Sequence, residues 1–422
     1  MSRILVGFAG MTHLGVNSAA AALARGFRVV GYDGDRDVIE GLRRGDPPVA
    51  EPGLPEVLRQ HTSQANYTEN IADLSRCDLV YIASDVPTDG SGASDLTGIR
   101  RLIQAVSGAL TRGTVLVVLC QVPPGFTRAA LPGKQLFYQV ETLVFGQAVE
   151  RAMHPERIIL GCADPSAEVP PALAEFLSAF ACPILKMRYE SAELAKIAIN
   201  CCLVSSVSVA NTLAELCERV GAVWSEIVPA LKLDRRIGQH AYLAPGLGIA
   251  GGNLERDLAT VCSLADAHGS DTGVVRAWIA NSRHRQDWTL QTLHGAVLSK
   301  VEKPVIAVLG LAYKQDTDST KNSPSLALLA HLAPFRVRVF DPVVSASAIS
   351  NPHRHAATSE LDACEGADAV AIMTPWAQFR KLDPVQIAGR LRGRLVIDPY
   401  AVLEAAACRA AGLEYHTLGM KP

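Results

Sequence analysis

The 422-residue sequence has no excess of charge of either sign. Its 40 lysine and arginine residues are balanced by 42 aspartate and glutamate residues, which gives a formal net charge of -2. A general nucleic-acid binder needs a basic surface, so this balance argues against that class of protein. The sequence also has no apolar run approaching the roughly 18 residues that span a bilayer. We therefore expect no nucleic acid and no membrane among its partners.

Paired cysteines are missing as well. The ten cysteines are scattered without a CxxC pair, so the sequence predicts neither a zinc or other metal site nor a disulfide framework. Most lie in apolar runs such as 117–120, which is typical of small buried side chains in a reducing compartment. The N-terminus enters an apolar strand directly. We therefore expect no signal peptide and a cytoplasmic location.

Hydrophobic residues make up 49% of the chain, enough for more than one core, and the length predicts two or three domains. The first segment reads as strand 3–10, helix 16–25 and strand 27–33, the opening βαβ unit of a dinucleotide-binding fold. The turn 10–15 keeps Gly10 and Gly15 but has Thr12 at the second glycine position, which narrows the approach to a pyrophosphate. Asp33 ends the second strand, where a carboxylate suits the ribose hydroxyls of NAD and repels the phosphate of NADP. Alternatively, Asp33 belongs to a solvated turn.

The alternation of strands and helices continues through strands 78–83, 114–119, 137–141 and 157–161 and restarts with strands 304–310, 335–341, 368–373 and 394–398. The fold class is therefore α/β, with two Rossmann-like doubly wound domains. Gly310 and Asp341 mimic the first domain, but the second turn lacks the glycine fingerprint. Lys314 puts a cation there instead, which suits a phosphate-bearing ligand better than a second dinucleotide.

A long apolar helix, from residue 192 to about 220, is predicted to join the two domains. Lys196 and Asn200 are four residues apart and therefore lie on one face of it. In such an apolar run, these polar groups are either covered by another part of the chain or hold a ligand. A helix apolar on several faces also suits a homodimer interface.

A glycine-rich stretch, 245–257, follows this helix. Four of its first eight residues are glycine, which excludes a stable helix or packed strand and favours a loop with exposed backbone N–H groups. The polar residues Asn253, Arg256 and Asp257 then come at the start of an apolar helical pattern, a good place for chemistry on a negatively charged ligand. From composition alone, a flexible linker is the alternative.

Several segments in the right order resemble the UDP-glucose/GDP-mannose dehydrogenase family. They are Glu51-Pro-Gly-Leu54, the helix segment from Glu193 to Asn200, the turn Arg236-Ile-Gly238, the glycine loop, and the segment 310–325. The resemblance covers nearly the whole chain. It implies an NAD-binding domain (1–188), a central helical dimerisation region with the substrate loop (189–300), and a C-terminal nucleotide-sugar-binding domain (301–422). It also implies two successive oxidations of a sugar hydroxymethyl group, with two NAD, to a uronic acid.

The resemblance implies the following site residues. Polar groups around the reacting carbon are Lys196, Asn200, Asp257, Asn253 and Glu141. Cofactor-binding residues are Gly10, Thr12, His13, Leu14, Gly15, Asp33, Asp85, Pro87, Gln121 and Lys321. Substrate-binding residues are Arg236 (reaching a neighbouring subunit's substrate), Leu243, Gly246, Gly248, Gly251, Tyr313 and Lys314.

Departures from the family pattern affect the second oxidation, from the aldehyde to the acid. The nucleophilic cysteine of the family falls on Asn253, and the lysine that follows falls on Arg256. The second acid of the segment that begins at Glu141 is Phe145, and a sugar-contacting arginine is Tyr400. An amide cannot attack an aldehyde, although it can hydrogen-bond an oxyanion or an aldehyde hydrate.

Three functions fit these residues. The first is a nucleotide-sugar dehydrogenase that uses NAD and stops early or works through an aldehyde hydrate, with Asp257 and Lys196 taking the alcohol proton. The second is a redox-neutral epimerase that retains NAD. The third is a nucleotide-sugar-binding protein without turnover, for which retaining both Lys196 and Asp257 would be unnecessary.

Overall fold

Two separate sheets, one mostly and one wholly parallel, organise the chain. The computed structural model describes residues 4–89, 92–133 and 135–421. The chain divides into a first unit, Met1–Ile199, and a second unit, Asn200–Pro422, and each contains one of the sheets. The finer division at residues 188 and 300 stays a prediction.

The first sheet has eight strands in the order β3-β2-β1-β4-β5-β6-β7-β8. All neighbouring strands are parallel except β6 and β7, which are antiparallel. The order reverses at β1, so a crevice opens between the carboxyl ends of β1 and β4. The strands are β1 (Leu5–Ala9), β2 (Arg28–Tyr32), β3 (Ala65–Thr68), β4 (Leu79–Ile82), β5 (Val115–Val118), β6 (Leu136–Gln139), β7 (Ile158–Cys162) and β8 (Ile184–Arg188).

Helices cover both faces of the first sheet. Alternate residues of the buried strands point to opposite faces, so Leu79 and Tyr81 join one core cluster and Val80 and Ile82 the other. The helices are α1 (His13–Ala24), α2 (Arg36–Arg44), α3 (Leu54–Gln60), α4 (Thr97–Ala109), α5 (Phe126–Ala130), α6 (Ala148–Met153), α7 (Pro171–Ser178) and α8 (Tyr189–Val220).

The second sheet has six strands, all parallel, in the order β11-β10-β9-β12-β13-β14. It repeats the topology of the first six strands of the first sheet. The strands are β9 (Val305–Leu309), β10 (Arg336–Phe340), β11 (Arg354–Ala356), β12 (Ala369–Ile372), β13 (Leu395–Ile397) and β14 (Glu414–His416). The helices that follow α8 are α9 (Trp224–Leu233), α10 (Asn253–His268), α11 (Gly273–Gln286), α12 (Trp288–Leu293), α13 (Pro324–His331), α14 (Glu360–Cys364), α15 (Pro384–Arg390) and α16 (Ala405–Ala410).

The predicted α/β class with two Rossmann-like sheets and a long helix is confirmed. Four edge or outer strands were not predicted: β3, β8, β11 and β14. The strand predicted for 137–141 ends at Gln139, so Glu141 lies in the following loop rather than in the strand. The first residue of the predicted strand 3–10, Arg3, lies outside the described residues.

Helix α8 is longer and more apolar than the sequence analysis allowed for. Its 32 residues include an 18-residue window of mean hydropathy 1.6, so by length and composition alone it could cross a membrane. It also carries the polar residues Glu193, Lys196, Asn200 and Asn211, all of them buried. Of the apolar window, 33% is buried. Glu193, Asn200 and Asn211 hydrogen-bond to other segments of the chain, as buried polar groups of globular proteins usually do.

Candidate functional site

The turn after β1 is shaped for close approach of backbone to backbone. Gly10 has φ +93°, and a Cβ added there would lie 2.6 Å from Ser84 Cβ. A Cβ added to Gly15 would lie 1.8 Å from the carbonyl oxygen of Gly10. Both positions therefore require glycine, as the dinucleotide fingerprint predicts for its first and third glycines.

Thr12 occupies the position where the fingerprint has its second glycine. Its φ of -77° suits any residue, so only its side chain changes the turn. The hydroxyl could cap α1 but accepts a hydrogen bond from the backbone N–H of Asp85 at 2.9 Å instead. The first-turn N–H groups of α1 are thus not capped by Thr12, which leaves them directed at any phosphate bound in the crevice.

The side chains of His13 and Leu14 are buried within the first unit. His13 Nε2 lies 2.8 Å from Glu51 Oε1, and its ring stacks on Phe145 with centroids 4.0 Å apart. Leu14 belongs to the first core cluster. Whether these two predicted cofactor residues contact the cofactor stays a prediction. Glu51 also accepts from the N–H of Gly146, so the Glu51-Pro-Gly-Leu54 segment ties α1 to the loop that carries Phe145.

The acidic residues at the ends of β2 and β10 differ in what they already bind. Asp33 accepts hydrogen bonds from the N–H of Met11 at 2.7 Å and of Asp35 at 3.0 Å. A carboxylate has about four lone-pair sites, so these two bonds leave capacity for ribose hydroxyls.

Asp341 is saturated by comparison. It accepts five hydrogen bonds, from the N–H groups of Leu311, Ala312, Val343 and Val344 and from Trp376 Nε1. No lone-pair site remains for a ribose. The geometry supports the prediction that the second sheet does not hold a second dinucleotide.

The remaining predicted residues of the first unit lie in loops at the carboxyl ends of strands, where ligands bind in such sheets. Asp85 and Pro87 follow β4 and are exposed, whereas Gln121 follows β5 and is half-buried. Glu141 follows β6 and accepts a hydrogen bond from the N–H of Leu143. Whether they contact a cofactor or substrate stays a prediction.

Three of the four buried polar side chains of helix α8 follow one another at intervals of about one turn. Glu193 accepts from the N–H groups of Gly125 (2.6 Å) and Thr127 (2.8 Å), and burial raises its pKa. Lys196 follows it and is 8% exposed, and Asn200 one turn later is 7% exposed. The predicted pair therefore lies on a buried face of α8, with the carboxyl group of Glu193 about one turn before Lys196.

The glycine loop of the second unit is an irregular segment held by side chains far away in sequence. Ser282 Oγ on α11 accepts from the N–H of Ile249 at 2.7 Å. Gly248 has φ +76°, and an added Cβ would lie 2.4 Å from the carbonyl oxygen of Ser282. Gly251 has φ +77° and faces the ring of Tyr313. A loop packed this closely is not a flexible linker.

The approach to this loop is anchored as well. Buried Asn211 on α8 accepts from the N–H of Gly246 at 2.8 Å. Trp224 Nε1 on α9 donates to the carbonyl of Leu243 at 2.8 Å, and the side chain of Leu243 is buried in the same small cluster as Trp224. The predicted substrate residue Leu243 therefore contributes mainly through its position in the chain.

A second loop, between β9 and α13, packs against the glycine loop. The N–H of Gly251 donates to the carbonyl of Lys321 at 3.1 Å, and Asn322 Nδ2 donates to the carbonyl of Gly251 at 2.7 Å. Lys314 Nζ lies 5.8 Å from the centre of the Tyr313 ring. The structure thus brings the predicted residues Gly251, Tyr313 and Lys314 together.

The first turn of α10 carries Asn253 and Asp257, two of the polar residues predicted to surround the reacting carbon, together with Arg256. Asn253 is exposed, and its Oδ1 accepts from Arg256 Nη2 at 3.1 Å. Asp257 is 2% exposed and accepts from Asn200 Nδ2 at 2.5 Å. Arg256 Nε lies 3.9 Å from Asp257 Oδ1. Helical spacing puts Asn253, Arg256 and Asp257 on one face, because they are three and four residues apart.

Cys201 is the thiol closest in sequence to this group, since it follows Asn200. Burial, and after it the negative charge of Asp257, raise its pKa to about 11. The thiolate, not the thiol, is the nucleophile. Cys201 is therefore poorly suited to replace the cysteine that Asn253 lacks.

Two further predicted or altered residues lie elsewhere in the second unit. Arg236 is exposed and binds Asp234 through two hydrogen bonds, at 3.0 and 2.7 Å, so its guanidinium is held close to its own loop. Tyr400 packs against the core of the second sheet, and burial raises its pKa. The tyrosine therefore fills core space where the family pattern has a sugar-contacting arginine.

Replacing Gly248 with alanine is expected to destabilise the protein by about 2–4 kcal/mol. The change adds a clash with the Ser282 carbonyl to the cost of a positive φ. Gly246→Ala is the matched control, because its added Cβ meets no atom within 4 Å. Denaturant unfolding of both variants checks the prediction. Equal unfolding midpoints for the two variants would contradict the close packing of Gly248 against Ser282.

Known proteins similar to this chain cover its whole length. Family models of the UDP-glucose/GDP-mannose dehydrogenase family match residues 4–179 (NAD binding domain), 190–283 (central domain) and 307–405 (UDP binding domain). A UDP-glucose 6-dehydrogenase of Pseudomonas aeruginosa is 29% identical, with 97% of this chain and 96% of the relative covered. One of Bacillus subtilis is 28% identical, with 97% and 92% covered. The structure of a UDP-glucose dehydrogenase from Pyrobaculum islandicum superimposes with a TM-score of 0.87, at 26% identity and 100% coverage of both chains.

Proposed function

The chain belongs to the UDP-glucose/GDP-mannose dehydrogenase family and is thus an NAD-dependent nucleotide-sugar oxidoreductase. From this, we propose that it removes one hydride from a UDP-linked sugar and does not complete the second oxidation. The observation that carries the proposal is the first turn of α10. Asn253 stands at its first residue, and buried Asp257 follows one turn later with Asn200 as its partner. This turn therefore has a candidate base, Asp257, but an amide, Asn253, at the position of the family's nucleophilic cysteine.

The first unit fits NAD. Gly10 and Gly15 leave room that any Cβ would fill, α1 presents uncapped first-turn N–H groups, and Asp33 has lone pairs to spare. When bound, NAD supplies the hydride acceptor. The chain's own contribution is to orient the dinucleotide through these groups.

Residues of α8 and α10 and of the loops after them are suited to proton handling and orientation. Asp257 is the group suited to take the alcohol proton, since Asn200 holds its carboxylate in place by a hydrogen bond. Lys196, one turn before Asn200 on α8, is suited to stabilise the alkoxide that forms. The glycine loop, held in place by its hydrogen bonds to Asn211, Ser282 and Lys321, and the cation of Lys314 are suited to position the diphosphate and sugar.

Incubation with NAD and a panel of nucleotide sugars tests the proposal. NADH absorbance and product mass are followed together. NADH with an aldehyde product is the expected result. A changed sugar of unchanged mass without NADH would favour the redox-neutral epimerase, and binding without any product would favour a non-catalytic protein.

NAD is expected to bind at least about tenfold more tightly than NADP, because the Asp33 carboxylate would face the extra phosphate. Titration calorimetry with both cofactors measures the difference. Asp33→Ser should reduce the preference, and Asp35→Ser is the control on the neighbouring turn. Equal or tighter binding of NADP to the unaltered protein would contradict the predicted role of Asp33 in excluding the extra phosphate.

We also infer a homodimer in the cytoplasm. Val209, Leu213, Leu216 and Val220 form a stripe at helical spacing on α8 and are 39–66% exposed in the single chain. All ten cysteines, which lie in the described ranges, are free thiols, as expected in a reducing compartment.

Light scattering at micromolar concentration is expected to give the mass of a dimer. Leu216→Lys should shift the mass toward the monomer, because it places a charge within the apolar stripe. Val385→Lys is the matched control, since Val385 is an apolar residue on α15 that is 66% exposed, against 53% for Leu216. A monomer for the unaltered protein would contradict the inference.

A further inference from the structure

We propose that a buried ion pair between Glu218 of α8 and Arg285 of α11 positions the glycine loop for the nucleotide sugar. Arg285 is a positioning residue, because it acts through the two helices that hold the loop. The inference rests on the proposed function, in which the glycine loop orients the diphosphate and sugar. Every contact that carries it lies within the second unit.

The glycine loop is held between α8 and α11. The N–H of Gly246 donates to Asn211 Oδ1 of α8 at 2.8 Å. The N–H of Ile249 donates to Ser282 Oγ of α11 at 2.7 Å. Between these two points, Gly248 packs so closely against Ser282 that an added Cβ would lie 2.4 Å from its carbonyl oxygen. The distance between the two helices therefore sets the shape of the loop.

A row of polar contacts joins the same two helices. Asn281 Nδ2 donates to Thr212 Oγ1 at 3.0 Å, and each of these residues adjoins one of the two loop anchors in sequence. About one turn further on, His284 Nε2 lies 2.9 Å from Glu215. Both contacts are exposed to solvent, where polar pairs contribute little. They do not by themselves fix the distance between the helices.

The contact between Glu218 and Arg285 is buried. Their side chains are 12% and 1% exposed, and Arg285 Nη2 donates to Glu218 Oε1 at 2.9 Å. Arg285 Nη1 also lies 3.4 Å from Glu215 Oε2. A guanidinium is a rigid fork, so contacts to two carboxylates of α8 fix its position on that helix. Separation of α8 and α11 would leave buried charges unpaired, which is strongly unfavourable.

Glu218 is also connected to the segment that leads into the glycine loop. Its carboxylate accepts from Trp288 Nε1 at 3.1 Å and from the N–H of Gly419 at 2.9 Å. The carbonyl of Gly419 accepts from the N–H of Trp224 at 2.8 Å. Trp224 Nε1 in turn donates to the carbonyl of Leu243. The ion pair therefore supports the loop through α11 and through the segment before the loop.

Calorimetric titration of the full chain with UDP-glucose and, separately, with NAD tests the inference. Arg285→Met is expected to weaken UDP-glucose binding about tenfold, because the helices are no longer held at a fixed distance. NAD affinity should stay the same, because the β1–α1 turn lies in the first unit. Arg390→Met is the matched control, since its ion pair with Glu365 is 54% exposed on both sides and should not affect UDP-glucose binding.

A second loop variant tests whether Arg285 acts through the loop anchor. Ser282→Ala removes the acceptor of the Ile249 N–H and should weaken UDP-glucose binding as well. Combined with Arg285→Met, its effect should be less than additive, because both changes release the same contact. A merely structural role of Arg285 elsewhere in the unit would give additive effects, and additivity would overturn the inference.

A double variant of the ion pair separates positioning from stability. Glu218→Leu with Arg285→Met replaces both charges by apolar side chains of similar size, which usually preserves stability. We expect an unfolding midpoint close to that of the unaltered protein, with UDP-glucose binding still about tenfold weaker. UDP-glucose binding as tight as in the unaltered protein would overturn the inference.

Arg285→Lys decides the question if the double variant is destabilised or does not fold. Lysine keeps the buried charge but not the fork that reaches both glutamates, so UDP-glucose binding should weaken about threefold. Equal affinity of this variant and the unaltered protein would overturn the inference.

The outcomes distinguish the inference from the proposed function. If the unaltered protein binds UDP-glucose but forms no NADH, the proposed function fails, and the affinities of the variants still decide the inference. If the unaltered protein forms NADH and the variants bind UDP-glucose as tightly, only the inference is overturned. If UDP-glucose does not bind to the unaltered protein, both fail.

Discussion

Supplied with NAD and UDP-glucose, the protein is expected to form little or no uronic acid. Oxidation of an aldehyde onward normally uses a thiolate that forms a hemithioacetal, and Asn253 cannot form one. Water must then attack in its place, and loss of covalent catalysis costs several powers of ten in rate. Cys201 is unsuited to take over, because burial and Asp257 keep its pKa near 11. The rate of uronate formation by product chromatography is the measurement.

Asn253→Cys is expected to raise uronate formation above that of the unaltered protein. The first turn of α10 would then carry a thiol at a helix N-terminus, where the dipole and Arg256 lower the pKa of a cysteine. Asn253→Ser is the control, because its hydroxyl is a weaker nucleophile of similar size. The increase is expected only if the protein still binds UDP-glucose, which titration of the variant measures.

Asp257→Asn is expected to slow hydride transfer about a hundredfold or more, which is the usual contribution of a positioned base. The change preserves shape but removes the proton acceptor and the negative charge beside Arg256. Single-turnover NADH formation measures the rate, and binding of NAD and UDP reports that the protein is folded.

Asp266→Asn is the matched control for this variant. Asp266 lies on the same helix but is exposed, and its ion pair with Arg276 is exposed too. Surface ion pairs contribute little to stability, so rate and stability should stay close to those of the unaltered protein. A rate for Asp257→Asn within about threefold of the unaltered protein would mean that another group takes the proton.

The sequence predicts the buried strands better than the edges of the sheets. Strands such as β1, β4, β9 and β12 are continuous apolar runs that end at a glycine or a polar loop, and their positions agree with the prediction within a residue or two. Strands β11 and β14 have three residues each, too few for a period-two pattern. Strand β8 lies at the edge of its sheet and is mostly exposed, so it lacks the apolar run.

The site residues that belong to one sequence motif could be predicted. The residues that hold those motifs in place from distant parts of the sequence could not. Glycines at 10, 15, 248 and 251 can be identified from their motifs, and the structure gives each a steric reason. Ser282 supports the glycine loop from 33 residues away along the chain, and nothing in its sequence surroundings marks it. The bond between His13 and Glu51 joins two motifs 38 residues apart. Such pairings depend on the tertiary fold rather than on local pattern.

The most direct test of the account is the ratio of NADH formed to nucleotide sugar consumed, measured with uronate in the same reaction. The account states that a base is retained at Asp257 while the nucleophile is lost at Asn253. It predicts at most one NADH per UDP-linked sugar, with an aldehyde or its hydrate as the product. Two NADH and one uronate per UDP-glucose, formed at an ordinary turnover rate, would contradict it.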